Sequence, residues 1–151
     1  MIIREANVND IDNYMLVRMA VLENKLNNPA LVTRKDNEDY LTTHGKGWVC
    51  EMEKKIVGFS IVGLIQNNVW ALFVHPDLEK KGIGRKLHDV MLDWYFTQTT
   101  KPLWLGTAPS TRAEMFYRKS GWTAVGKHGN DEIKFEMTFH QWKQIVASVR
   151  L

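Results

Sequence analysis

Residues 72–87 read Leu72-Phe73-Val74-His75-Pro76-Asp77-Leu78-Glu79-Lys80-Lys81-Gly82-Ile83-Gly84-Arg85-Lys86-Leu87, and three kinds of structure meet in them. An apolar run reads as a strand, His75-Pro76-Asp77 as a tight turn, and two glycines open a helix. The first amides of a helix have no partner inside it, and its dipole favours negative charge there. Glycines let an oxygen-rich ligand approach that backbone, and Lys80, Lys81, Arg85 and Lys86 crowd around them. A pyrophosphate is the expected guest. For an isolated Gly-x-Gly the alternative is a softened turn with solvated lysines. Gly82-Ile83-Gly84-Arg85-Lys86-Leu87 lacks the third glycine of a dinucleotide fingerprint, and no Gly-Lys-Ser/Thr follows as in a P-loop.

Working outward, Ile2-Ile3-Arg4 reads as a first strand. Ile11, Tyr14, Met15, Arg18 (through its stem), Leu22 and Leu26 recur at helical spacing, predicting a long helix that Asn27-Asn28-Pro29 ends. Thr33 and Asp36 mark the start of a shorter helix with Tyr40 and Leu41 inward. Trp48–Met52, Ile56–Gln66 and Val69–His75 read as a three-strand meander. The helix from about Gly82 to Thr97 buries Ile83, Leu87, Val90, Met91 and Trp94. Leu103-Trp104-Leu105 is a buried strand, and Thr111-Arg112-Ala113-Glu114 has the pattern of a capping box. Gly121 stops that helix. Strands follow at Trp122–Gly126 and Ile133–Phe139. A last helix, from Gln141, carries Trp142, Ile145, Val146 and Val149. The order β-α-α-β-β-β-α-β-α-β-β-α predicts an α/β domain with a mixed, mainly antiparallel sheet.

Composition bounds the function. The 151 residues, 44% hydrophobic and 11% aromatic, suit one domain spanning the whole chain. At that length a chain buries roughly 68–70% of its unfolded surface, enough for a core without staples. The single cysteine, Cys50, excludes an intramolecular disulfide and any site built on paired thiolates. It lies in the apolar run Trp48-Val49-Cys50, where a buried structural thiol is expected. The scattered His44, His75, His88, His128 and His140 predict no metal site. Met1-Ile2-Ile3-Arg4-Glu5 is charged too early for a signal peptide, and no apolar run reaches the ~18 residues of a membrane span. A cytoplasmic protein without membrane contact is expected. A net charge of +3 and a pI near 9.0 are too mild to argue for nucleic acid.

A further pattern joins the glycine stretch. Ala113-Glu114-Met115-Phe116-Tyr117-Arg118-Lys119-Ser120-Gly121-Trp122 lies about thirty residues after Glu79-Lys80-Lys81-Gly82-Ile83-Gly84. Together these segments resemble two signatures of the GCN5-related N-acetyltransferases, the GNAT superfamily: Arg/Gln-x-x-Gly-x-Gly/Ala and Ala-x-x-Phe-Tyr-x-x-x-Gly-Trp/Phe. The glycines match, whereas Glu79 stands where the family has Arg or Gln. The element order agrees over nearly the whole chain.

The resemblance implies an acetyl-CoA-dependent transfer of an acetyl group to a primary amine, with acetyl-CoA as co-substrate and no metal. The backbone of Lys81, Gly82, Ile83, Gly84 and Arg85 would hold the pyrophosphate, with Lys80, Lys81 or Lys86 on the outer phosphate. Splayed central strands would free Phe73 and Val74 backbone groups for the pantetheine arm and the developing oxyanion. Tyr117 matches the general acid for the leaving thiolate, its alternative being an ordinary core tyrosine. Ser110 replaces an Asn that touches the cofactor in relatives, and its alternative role is helix capping. The positions of the family's usual base hold Asn68 and Trp70, so deprotonation falls to water, Glu51 or Glu23. Acceptors enter this fold between the loop at Asn24–Thr33 and the hairpin near Lys127–Ile133, and a small molecule or a peptide amine fits equally. Many members dimerise, so a homodimer is expected. A non-catalytic acyl-CoA-binding or regulatory module on the same fold is the competing reading, motivated by Glu79 and the missing base.

Overall fold

In the computed structural model, residues 1–21 and 32–149 are described. The described residues belong to two units, Met1–Tyr95 and Phe96–Leu151. In the first, β1 (Ile2–Glu5), α1 (Ile11–Ala20) and α2 (Arg34–Asp39) precede a meander of β2 (Gly45–Met52), β3 (Lys55–Gly63) and β4 (Asn68–Val74). Helix α3 (Ile83–Gln98) carries the chain into the second unit, with β5 (Leu103–Thr107), α4 (Arg112–Lys119), β6 (Thr123–His128), β7 (Glu132–Met137) and α5 (Phe139–Val149). The fold class is the α/β one expected, with a mainly antiparallel sheet flanked by helices.

In the first unit the strands pair in chain order, all antiparallel, with Ile3 opposite Cys50, Val49 opposite Phe59 and Phe59 opposite Phe73. A bulge interrupts the β3–β4 ladder: Ile61 faces Ala71 and Val62 faces Val69, leaving Trp70 without an opposite residue. Glu53 and Lys54 both take left-handed φ, 51° and 66°, as a two-residue hairpin turn requires. The core gathers Ile11, Tyr14 and Val17 of α1 on Val49, Phe59, Ile61 and Ala71, and Tyr14 stacks on Phe59 with centroids 4.4 Å apart. Cys50 is buried, and burial pushes its thiol up, as befits a structural residue.

Three expectations are corrected here. The first helix ends at Ala20, because Val21 turns extended (φ −69°, ψ 130°) and breaks the hydrogen-bond ladder. Leu22, Leu26 and Asn27-Asn28-Pro29 lie outside the described residues. The short second helix has its reciprocal cap between Thr33 and Asp36, but Tyr40 and Leu41 fall in a π-helical turn, Tyr40–His44, that follows it. On α3 the buried face is Ile83, Leu87, His88, Met91, Leu92 and Tyr95, while Val90 and Trp94 are only half-buried at its flank. The helix therefore presents a broader face than the apolar stripe alone marks out.

In the second unit β7 lies between β5 and β6, antiparallel to both. Leu103 and Leu105 are buried and Trp104 is half-buried, so β5 alternates rather than being buried throughout. Gly121 ends α4 at φ 94°, and a Cβ there would come within 2.7 Å of Ile145 Cδ1 on α5. Trp142 is buried as expected, Ile145 and Val146 are half-buried, and Val149 is exposed, so the apolar stripe of α5 does not reach its end.

Candidate active site

The ladder that ends β4 delivers the glycine stretch. Val74 pairs opposite Gly58, and the His75 N–H then donates to Val57 O at 2.8 Å. Pro76–Leu78 forms one 3-10 turn, braced by Asp77 N–H donating to His75 Nδ1 at 3.2 Å. His75 is thus a turn residue, as its sequence context predicts.

Next, Lys80 and Gly82 take left-handed φ of 65° and 81°. For lysine this conformation is costly, and such strain is typical of backbone shaped for a ligand. Gly82 O accepts from Lys86 N–H at 3.2 Å, so Gly82 caps α3 and has no side chain to offer the first amides. A Cβ built on Gly82 would meet nothing within 4 Å, and one on Gly84 only Val74 Cγ2 at 3.7 Å. The backbone therefore opens onto free space at the positive end of a 16-residue helix. Lys80, Lys81, Arg85 and Lys86 are exposed around it, and the first turn holds no acidic residue. Ile83 is the buried anchor. The arrangement fits a pyrophosphate: amides at the cap, cations at the rim, and room where side chains would otherwise stand.

What seats this helix is a residue that the sequence reading passed over. A Cβ on Gly58 would lie 3.0 Å from Leu87 Cδ1, 3.1 Å from Phe73 O and 3.3 Å from Ile83 Cγ2. The bare backbone of β3 lets α3 lie close against the strand pair. Ser60 Oγ adds a hydrogen bond to Leu87 O at 3.2 Å. A glycine inside an apolar strand run was the available signal. Phe73 and Val74 are half-buried on β4, Phe73 leaning on Phe59 with centroids 5.7 Å apart. The Arg18 guanidinium covers the Phe73 ring, 4.2 Å from its centroid.

The candidate bases fare differently. Glu51 is held by Arg4, which donates from Nε at 2.8 Å and approaches it from Nη2 at 2.7 Å, while also binding Asp10. Its carboxylate serves this ion-pair cluster, whose Arg4 hydrogen bonds also pull the Asp10 carboxyl below its ordinary range. Glu23 lies outside the described residues. Asn68 is buried and donates to Tyr40 Oη at 3.3 Å, and Trp70 stacks on Tyr40 at 4.2 Å. His88 is fully buried beside Asp89, and burial lowers its pKa. Among the described residues no group of three or more His, Cys, Asp or Glu gathers as for a metal ion. No described helix is long and apolar enough to cross a membrane.

In the second unit Tyr117 is buried on α4 among Phe116, Trp122 and Phe135, with ring centroids 5.4, 5.5 and 6.1 Å away. Burial pushes its phenol well above the ordinary tyrosine range, so it is protonated at neutral pH. Its surroundings differ from those of the other buried tyrosines. Tyr14 donates to Asn37 Oδ1 and Tyr95 to Asn67 Oδ1, whereas Tyr117 is closed in by aromatic rings. Ser110 is exposed in the left-handed region at φ 62°, a conformation that Asn tolerates better than Ser. It does not cap α4: Thr111 Oγ1 accepts from Glu114 N–H, and the Ser110 N–H donates to Glu114 Oε1 at 2.7 Å. Of the two roles open to Ser110, capping is excluded because the cap position belongs to its neighbour. The capping box is likewise shifted by one residue on its return bond.

Residues 43–124 match the family model described as the acetyltransferase (GNAT) domain. Among solved structures, a GNAT-family acetyltransferase from Staphylococcus aureus Mu50 superposes with a TM-score of 0.78 at 20% identity, covering 91% of this chain and 98% of its own. The PaiA N-acetyltransferase of Thermoplasma acidophilum, solved in complex with coenzyme A, gives 0.77 at 13% identity over 91% and 98%. A ribosomal-protein-alanine N-acetyltransferase of Brucella melitensis gives 0.72 at 20% identity over 91% and 99%. No curated protein sequence matches this chain.

Proposed function

The chain belongs to the GNAT acetyltransferase family, and from this we propose that it is an N-acetyltransferase that moves the acetyl group of acetyl-CoA directly to a primary amine. The whole chain is then one N-acetyltransferase domain, a reading supported by solved structures that match 91% of it. The observation that carries the proposal is the open, cation-rimmed backbone at Gly82 and Gly84.

In this reading the amides at the start of α3 bind the pyrophosphate, and Lys80, Lys81 or Lys86 reaches the outer phosphate. Backbone groups of Phe73 and Val74 hold the pantetheine arm and the developing oxyanion. Ser110, freed from capping, serves the cofactor. The neutral amine attacks the thioester carbonyl carbon, the C–S bond breaks, Tyr117 Oη gives its proton to the leaving sulfur, and the proton that the nitrogen sheds as the amide forms restores the phenol through water. A buried phenol that is protonated at neutral pH is suited to that role. The ammonium form of the acceptor loses its proton to water or to Glu23, since Glu51 is engaged by Arg4. Glu79 sets a negative charge beside the loop and weakens cofactor binding without removing the backbone amides that carry it.

Thiol release from acetyl-CoA, measured against a panel of amines, amino acids, aminoglycosides and peptides, tests the proposal. Turnover with at least one class is expected. Tight acetyl-CoA binding with no turnover on any of them would establish the competing reading of a binding module.

A further inference from the structure

Arg18 has no part in the reading above, yet its setting is unlike that of the other paired arginines. Arg4 holds Asp10 and Glu51, Arg34 holds Asp12, and Arg118 holds Glu114. The Arg18 guanidinium instead lies against the Phe73 ring, and its Nη1 is buried with no hydrogen-bond partner among the described residues. The ring face attracts the cation but accepts no in-plane N–H, so the edge of the planar fork is unsatisfied. A buried donor left in that state is destabilising, and burial also lowers the guanidinium pKa.

Its position is set by rigid packing. Tyr14 and Arg18 stand four residues apart on one face of α1. Tyr14 stacks on Phe59, Arg18 covers Phe73, and Phe59 and Phe73 are direct partners across the β3–β4 ladder. One helix face thus spans one cross-strand pair and places the guanidinium over the strand that the proposed reaction assigns to the thioester.

We propose that Arg18 binds an oxyanion, carboxylate or phosphate, carried by the acceptor amine itself, so that the acceptors are amines with an anionic group, as in an amino acid. This rests on the acetyltransferase reading. A guanidinium stacked on an aromatic face and donating from its edge suits such a group, and a ligand oxyanion would satisfy the buried donor.

The test compares L-amino acids, their decarboxylated amines and aminoalkyl phosphates as acceptors, with wild type, Arg18→Met and Arg18→Lys. Wild type is expected to favour the anionic amines. Arg18→Met should raise their KM by roughly ten- to a hundredfold, the range of a hydrogen bond to a charged group. The acetyl-CoA dissociation constant and turnover of the anion-free amines should be unchanged, and the Tm equal or higher, because an unpaired buried charge is removed. Which anionic class responds identifies the oxyanion. Equal use of anionic and anion-free amines by wild type would overturn the proposal. So would a lower Tm in Arg18→Met with selectivity intact, since the cation would then be structural. A loss confined to acetyl-CoA affinity would assign Arg18 to the cofactor and overturn it too. A wild type that binds no acetyl-CoA fails the acetyltransferase reading and takes this proposal with it. One that binds acetyl-CoA without preferring anionic amines fails this proposal alone.

Discussion

Helices α3 and α4 begin in opposite ways. At α4 the chain satisfies its own first turn: Thr111 caps it, Glu114 accepts from the Ser110 N–H, and Arg118 holds Glu114 at 2.8 Å. At α3 a glycine occupies the cap, the first turn carries no carboxylate, and Lys80, Lys81, Arg85 and Lys86 outnumber Glu79 around it. Both ends carry the same partial positive charge. One has its own anion built in, and the other is where the proposed reading places the anion of the cofactor. Glu114 is, in effect, the internal counterpart of the phosphate proposed at Gly82.

The largest effect that would sharpen this contrast lies on α4, away from its satisfied cap. Tyr117→Phe keeps the ring and its packing on Trp122 and Phe135, so the fold and the acetyl-CoA affinity should hold. The single-turnover rate with a verified amine should fall by roughly 10²–10⁴-fold, the share of a positioned acid. Full activity in the mutant would return Tyr117 to the core. A stability loss of about 1 kcal/mol with turnover of the folded fraction intact would instead mark a hydroxyl that only hydrogen-bonds in the core.

Next in size is the open cap. Gly82→Val puts a β-branched side chain at φ 81° into the space facing the helix amides. Calorimetry should show acetyl-CoA binding weakened by about a hundredfold or more, on the order of 3 kcal/mol, in a protein whose circular dichroism is unchanged. Wild-type affinity in the folded mutant would remove the distinction between the two helix starts.

At the closed cap the outcome should be the reverse. Thr111→Ala should cost about 1 kcal/mol of stability, seen as a lower Tm, and leave acetyl-CoA binding alone. Smallest of all is a pH effect. The Ser110 N–H and Arg118 hold the Glu114 carboxyl below its ordinary range. Its support of α4 is therefore present above the unfolded carboxylate pKa of about 4.3 and lost as pH falls through the depressed folded value. Amide exchange in the first turn of α4 should quicken in that acid window in wild type and be insensitive to it in Glu114→Gln. Equal acid sensitivity in both would show that Glu114 does not close this helix.

The parts legible in the sequence share a physical basis: they are short-range. A glycine at a helix start, a Thr-x-x-Glu cap and alternating strands report on backbone rules that act within a few residues. Thus the element order, the cation-ringed glycines and the start of α4 could be read directly. The same locality explains the misreadings. Helical spacing carried the first helix past Ala20, and an apolar stripe on α3 missed His88, since neither pattern sees what packs opposite.

The sequence by itself determined the glycine helix start and the clustered lysines on which the proposed anion site rests, because such features need no partner from elsewhere in the chain. Only the tertiary structure decided which side chains were available for other work. Glu51 is taken by Arg4, 47 residues away, Tyr117 is closed in by Trp122 and Phe135, and α1 brings Arg18 over a ring on β4 with no acceptor for Nη1 among the described residues. Engagement and vacancy of this kind arise from pairs brought together by folding, and the free energy of a buried polar group depends on its partner rather than on its neighbours in sequence.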